Sequence, residues 1–178
     1  MTVHIRIAKD RDIEDIRNLY LHAFPESENH LVARLAVNLL NEKTNPATIN
    51  LVAEISNAVV GHIAFSPVTI NDNQKWPGYI LAPLAVKPEH HGTGIGTRLV
   101  ESGIARLSND GVIVLFVYGD PEYYGRFGFS AETASKFLPP YKLSHPFGWQ
   151  AVFLRGTRPN EQGGKLSCVR ALRDPLLW

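Results

Sequence analysis

The 178-residue chain holds a single cysteine, Cys168, which leaves no internal disulfide and favours a reducing compartment. No apolar run approaches about 20 residues, and the opening MTVHIRIAKDRD lacks the apolar core of a secretory signal. Neither a membrane span nor a signal peptide is expected. Charge of one sign is missing too: 18 Lys and Arg stand against 17 Asp and Glu, scattered without a block. That balance carries no electrostatic footprint for nucleic acid or an anionic membrane. It also weighs weakly against strongly basic peptides as partners. No repeat, low-complexity segment or linker divides the chain. The apolar share is 44% and the charged share 20%, ordinary globular values. The expectation is one soluble, cytoplasmic domain over residues 1–178, long enough to bury a core.

Periodicity then orders the elements. VHIRIA (3–8) alternates as a short strand, and Asp10 or Asp12 can cap a helix carrying Ile13, Ile16, Leu19 and Tyr20 until Pro25 breaks it. A second helix is expected from Ser27 through Asn41, with Leu31, Leu35 and Leu39 on one side. Strands 48–55 and 59–69 meet across Ser56-Asn57. GYILAPLAV (78–86) reads as a third strand, with Pro83 suggesting a bulge or an edge. A helix over 94–109 ends at NDG, and VIVLFVY (112–118) reads as a buried strand. Asp120-Pro121-Glu122 signals a short helix: cap, proline at the first position, acid in the first turn. Residues 130–148 read as loop, followed by strands at 149–155 and 165–172. The order β-α-α-β-β-β-α-β-α-β-β implies an α/β fold around a mixed sheet.

Between the third strand and its helix lies KPEHHGTGIGTRL, with glycines at 92, 94 and 96. A strand, a glycine-rich turn and a helix N-terminus form a device for anions, because the first helical N–H groups lack partners and the helix dipole favours negative charge. Glycines let the backbone approach an oxygen-rich group with no Cβ in the way. A Walker loop is excluded, since no Gly-Lys-Ser or Gly-Lys-Thr follows. A dinucleotide fingerprint fits poorly. The spacing is G-x-G-x-G, Lys87 to His91 intervene after the strand, and only one βαβ unit is visible, although Asp120 could imitate the ribose-binding acid.

LAVKPEHHGTGIGTRLV resembles the acetyl-coenzyme A motif of the GNAT N-acetyltransferase superfamily, [QR]-x-x-G-x-[GA] after a strand reading L-x-V-x-P. His91, Gly92, Thr93, Gly94, Ile95 and Gly96 occupy those positions. GDPEYYGRFGF (119–129) is similar to the family's F-Y-x-x-x-G-F element, so the two motifs span residues 84–129, and the element order agrees over almost the whole chain. GHIAFSPV (61–68), with the second motif, also resembles the YhbS-type subgroup, whose members mostly lack an assigned substrate. One position departs from the pattern: His91 stands where Gln or Arg is usual.

The resemblance implies roles for particular residues. Backbone groups of Leu84, Ala85 and Val86 would hydrogen-bond the pantetheine arm as a false strand, and one N–H would polarise the thioester carbonyl. N–H groups of residues 92–97, Gly92 through Thr97, would grip the pyrophosphate, with His91 at the head of the motif. Tyr124 would protonate the departing thiolate, while Tyr123, at the phenylalanine position, should face the core. Packing alone could also account for Tyr124, and capping for Asp120. Adjacent His90 and His91 cannot share a helical face as a metal pair, so no metal is expected. Cys168 reads as a buried small hydrophobe. Many relatives carry a glutamate base on the strand before the glycines, but GYILAPLAV has no carboxylate. Glu54, His62, Glu26 and Glu28 are candidates by location, a water relay or a neutral acceptor would need no base, and the role stays unassigned.

The resulting expectation is direct transfer of an acetyl group from acetyl-coenzyme A to a primary amine, on a small molecule or on a protein N-terminus or lysine. The alternative is a catalytically silent acyl-coenzyme A sensor. The resemblance leaves a homodimer open.

Overall fold

The computed structural model describes residues 2–154 and 163–178, and of residues 75–77 the backbone only. Among the described residues, eight strands and five α-helices follow one another: β1 His4–Ile7, α1 Ile13–Ala23, α2 Asn29–Asn41, β2 Ile49–Ile55, β3 Ala58–Ile70, β4 Asn73–Val86, α3 Ile95–Asn109, β5 Val114–Tyr118, α4 Pro121–Gly125, α5 Ala131–Ala134, β6 Phe137–Leu138, β7 Trp149–Phe153 and β8 Gly164–Cys168. The chain divides into two compact units, Met1–Phe65 with Pro83–Gly103, and Ser66–Ala82 with Ile104–Trp178. β3, β4 and α3 each run from one unit into the other.

The first unit carries the order β1-β2-β3-β4. β2 and β3 form a hairpin over Ser56 (φ 50°) and Asn57 (φ 65°), two residues at positive φ that match the twist of the flanking strands. On one face, Ile16, Leu19 and Tyr20 of α1 and Ala33 and Ala36 of α2 close over Val52, Val59 and Ala85. On α3, Ile95, Leu99 and Val100 are buried. Gly61 of β3 gives that helix room, since a Cβ there would stand 3.0 Å from Leu99 Cδ1 and 3.2 Å from Ile95 Cγ2. Gly103 does the same for the Phe65 ring, which occupies the space a Cβ would take.

Two expectations at the start of the chain are corrected. Asp12 does not cap α1 with its side chain. It turns to Arg6, which donates 2.7 and 2.9 Å bonds to it and also reaches Glu54 at 2.7 Å. The Arg6 hydrogen bonds hold the almost fully buried Asp12 carboxyl below its ordinary range. α2 starts at Asn29 rather than Ser27, with Glu28 at the cap position.

In the second unit β4 pairs in parallel with β5, and β5 antiparallel with β7. β8 pairs antiparallel with β3 and in parallel with β6, so the sheet is mixed. β4 has β3 on one side and β5 on the other, and Pro83 falls on the stretch where the β5 side is left open, as its edge reading expected. The β4–β5 pairing runs from Gly78 to Leu81 and stops there, two residues before a proline that has no N–H for any ladder. The stretch 130–148 is less loop-like than expected, since it holds α5 and β6. Phe137 of β6 is drawn in by aromatic packing, edge-on to Phe116 at 5.1 Å, and Phe116 stacks on Trp149 at 5.3 Å. The strand expected to 149–155 ends at Phe153, and its last expected position, 155, lies outside the described residues. The strand expected over 165–172 ends at Cys168, and Arg170–Leu172 form a 3₁₀ turn.

Candidate active site

The expected cofactor contacts all fall in the first unit, and Tyr124 falls in the second. Leu84, Ala85 and Val86 are the last residues of β4, beyond its pairing with β5. From Val86 the chain continues through Lys87, whose N–H donates to the Val60 carbonyl at 2.8 Å. A 3₁₀ turn, Pro88–His90, follows. His91 is exposed and extended, and Gly92 (φ +75°) and Gly94 (φ +82°) adopt the left-handed backbone that only glycine takes without strain. A Cβ at either glycine would meet nothing within 4 Å. The two are required by backbone conformation, and the space above them is open.

Helix α3 begins at Ile95. The Arg98 N–H already reaches back to the Gly94 carbonyl at 3.0 Å, and the Thr93 N–H reaches the His90 carbonyl at 3.4 Å. The N–H groups of Gly92, Gly94, Ile95, Gly96 and Thr97 have no backbone acceptor among the described residues. Unpaired donors at the positive end of a 15-residue helix form a site for an oxygen-rich anion. The His91 ring does not lie loose beside them: its Nε2 is 2.8 Å from the Val86 carbonyl.

In the second unit Asp120 caps α4 as expected, its carboxylate accepting from the Glu122 N–H at 2.9 Å. Tyr124 is half-buried and lies flat over Gly119, where a Cβ would stand 2.5 Å from its Cε2, and edge-on to Phe129. Burial pushes its phenol well above the ordinary tyrosine range, with Tyr123 and Asp120 adding to the effect. The group is therefore protonated at neutral pH, and its hydroxyl has no hydrogen-bond partner among the described residues. Tyr123 departs from expectation. It is half-buried rather than in the core, with the Arg126 guanidinium 4.5 Å above its ring.

The base candidates separate clearly. Glu54 is held by Arg6 at 2.7 Å. His62 is fully buried, and both its ring nitrogens are engaged. Asn50 donates through Nδ2 to the Leu39 carbonyl, so its Oδ1 faces His62 Nε2 at 3.1 Å and must accept. The proton therefore sits on Nε2, and Nδ1 accepts from the Tyr20 hydroxyl at 2.9 Å. Burial lowers the pKa of this imidazole to about 3, against a smaller opposing pull from Asp12. Glu26 and Glu28 are exposed. Cys168 is buried, its thiol pushed up to about 12 by burial. Among the described residues no three His, Cys, Asp or Glu side chains gather. The Tyr20–His62–Asn50 chain escaped the sequence reading. Its signal was present, as polar residues at inward positions of INLVAEI and GHIAF.

Comparison with known proteins turns the anion turn and its strand into a family assignment. The family model for the acetyltransferase (GNAT) domain matches residues 4–131. The chain belongs to the GNAT acetyltransferase family. It is 35% identical over 176 residues, 95% of both chains, to the uncharacterized N-acetyltransferase YjhQ of Escherichia coli. A GNAT family acetyltransferase from Brucella melitensis, solved in complex with acetyl-CoA, is 30% identical, with a TM-score of 0.74 over 96% of this chain and 97% of its own. The GNAT N-acetyltransferase YhbS of Escherichia coli, solved with CoA, is 26% identical, with a TM-score of 0.81 over 95% of this chain and 91% of its own. The YhbS-type resemblance and the mixed α/β GNAT fold both stand. Among the described residues of this GNAT protein no helix is long and apolar enough to cross a membrane.

Proposed function

We propose that this GNAT protein acts as one domain that moves an acetyl group from acetyl-CoA to a primary amine by direct attack. The observation that carries the reading is the run of five N–H groups at 92–97 without backbone acceptors among the described residues, in a chain whose relative from Brucella melitensis was solved with acetyl-CoA. These donors would hold the pyrophosphate. Beyond Leu81 the free edge of β4, at Leu84, Ala85 and Val86, would pair with the pantetheine amides. A strand N–H there would stabilise the oxyanion as the amine nitrogen bonds to the carbonyl carbon. The carbon–sulfur bond then breaks, and Tyr124, held protonated by its surroundings, would give its proton to the thiolate. The amine must lose a proton on the way. With Glu54 tied to Arg6 and His62 closed on both nitrogens, we assign that proton to water or to an amine that arrives neutral. The acceptor is a small-molecule amine or a protein amine, and the compartment we propose is the cytoplasm, where the single thiol stays reduced.

The test has two arms. At a hundredfold excess over Kd, acetyl-CoA should stabilise the protein by about 2.7 kcal/mol, a rise of roughly 5–10 °C in Tm for a chain of this size, while NAD leaves Tm unchanged. A shift with NAD alone would overturn the reading. Free-thiol release across an amine panel should then exceed hydrolysis for at least one amine. Tight binding with no release for any amine would instead indicate a silent acyl-CoA sensor.

A further inference from the structure

We infer that His91 is a positioning residue: its imidazole N–H holds the Val86 carbonyl and fixes the chain where it leaves β4 for the glycine turn. This deepens the acetyl-CoA reading and rests on it. The 2.8 Å contact runs from Nε2 to a carbonyl oxygen. A carbonyl only accepts, so Nε2 carries the proton.

The bond spans five residues and closes the segment around its 3₁₀ turn. Besides the Lys87 N–H bond to the Val60 carbonyl, the remaining bonds around the 3₁₀ turn are local. His90 and His91 donate backbone N–H groups to the Lys87 and Pro88 carbonyls at 2.9 and 3.1 Å, and Thr93 Oγ1 donates to the His90 carbonyl at 2.6 Å. Among the described residues, His91 alone of the turn's side chains reaches back to β4. Directly after it come two glycines at positive φ, which have the most conformational freedom to lose when an anion fixes their N–H groups. Tying residue 91 to residue 86 removes part of that freedom before the ligand arrives, which raises affinity by preorganisation. His91 is exposed, so water competes for the same carbonyl and the gain is modest. The other ionisable groups of the stretch are Lys87, Glu89, His90 and Arg98, and Arg98 donates through Nη2 to the Val3 carbonyl at 2.9 Å.

Glutamine carries an amide N–H₂ at a reach close to that of imidazole Nε2 and no charge, so it separates the donor from the cation. The experiment is calorimetric titration of acetyl-CoA into wild type, His91→Ala and His91→Gln at pH 6 and pH 8, with long-range ¹⁵N NMR of the His91 ring in the free protein. The ring should show the Nε2–H tautomer. His91→Ala should bind about fivefold more weakly at both pH values, and His91→Gln within twofold of wild type, with all three melting within about 2 °C of one another. An Ala variant that binds like wild type overturns the proposal. So does a wild-type-to-Gln affinity ratio that grows toward pH 6, which would mean an imidazolium touching the phosphates. Wild type that binds no acetyl-CoA while the ring still shows the Nε2–H tautomer fails the cofactor reading, and the proposal with it. That result is distinct from normal wild-type binding with an indifferent Ala variant.

Discussion

Around His62 each ring nitrogen has a partner, and the neighbouring Tyr20 hydroxyl and Asn50 amide are engaged as well. At the turn of residues 92–97, in the same unit, five N–H groups have no backbone acceptor among the described residues. Both regions are polar, and both interrupt apolar stretches of sequence. One is dry, so an unpaired atom there would carry its full desolvation penalty. The other faces open space, where water can serve its donors until a ligand replaces it. A histidine in a GNAT chain invites a catalytic role, but it is the backbone at the exposed turn that keeps its hydrogen-bonding capacity for something else.

The comparison breaks most easily at His62. Replacing it in His62→Leu orphans Asn50 Oδ1 and takes from the Tyr20 hydroxyl its 2.9 Å imidazole acceptor, for a loss of about 2–5 kcal/mol in stability and a fall of roughly 5–15 °C in Tm. Acetyl-CoA affinity, measured well below that Tm, should stay within twofold of wild type. A tenfold loss of affinity in folded protein would move His62 into the site.

Tyr124 tests whether a free hydroxyl on a half-buried ring counts with the open region. In Tyr124→Phe, turnover with a competent amine should drop about a hundredfold, or about 2.7 kcal/mol, at unchanged cofactor affinity. The paired control Tyr123→Phe should cost little. Near-normal turnover in Tyr124→Phe would leave water as the proton donor.

Acid should loosen the closed region first. The His62 pKa is depressed in the folded state to about 3, against about 6.5 in an unfolded chain. The unfolded state therefore binds the extra proton. This group's contribution is complete above pH 6.5 and is lost as pH falls from there toward 3, at up to about 1.4 kcal/mol per unit. Urea unfolding at pH 7 and pH 5 should differ by about 2 kcal/mol from this group, and His62→Leu should flatten the slope. Asp12, lowered in the folded state by Arg6, adds its own loss only nearer the ordinary carboxylate range.

The smallest effect belongs to the open turn. Gly96 lies within α3, outside the positive-φ set, so Gly96→Val is compatible with the backbone where Gly94→Val is not. It should weaken acetyl-CoA at least tenfold, about 1.4 kcal/mol, with stability changed by less than 1 kcal/mol. Unchanged affinity would place the phosphates elsewhere.

The open region was largely legible in the sequence, because its signals are local: glycines two apart, a strand before them, an amphipathic helix after. The Asp120 cap was legible for the same reason. What escaped depends on partners far along the chain. Arg6 meets Glu54 from 48 positions away and draws Asp12 from its expected cap. Tyr20 meets His62 across 42. Phe137 finds its strand through distant partners, Phe116, the Trp149 indole and β8. Pro83 signalled an edge locally, but only the structure shows that the edge is made by the β4–β5 ladder ending at Leu81.

Phe65 and Gly103 work together as a pin and its socket. The ring fills the space a Cβ would take on α3, so the helix has one seating on β3 and neither slides nor rolls. Its first turn begins eight residues earlier, about 12 Å up the axis, and there the backbone donors must keep their aim. Alanine at 103 is a better helix former than glycine by about 1 kcal/mol, yet it would lift the helix off its seat. The aim of those donors is held from two turns away, by a glycine that leaves the ring its place.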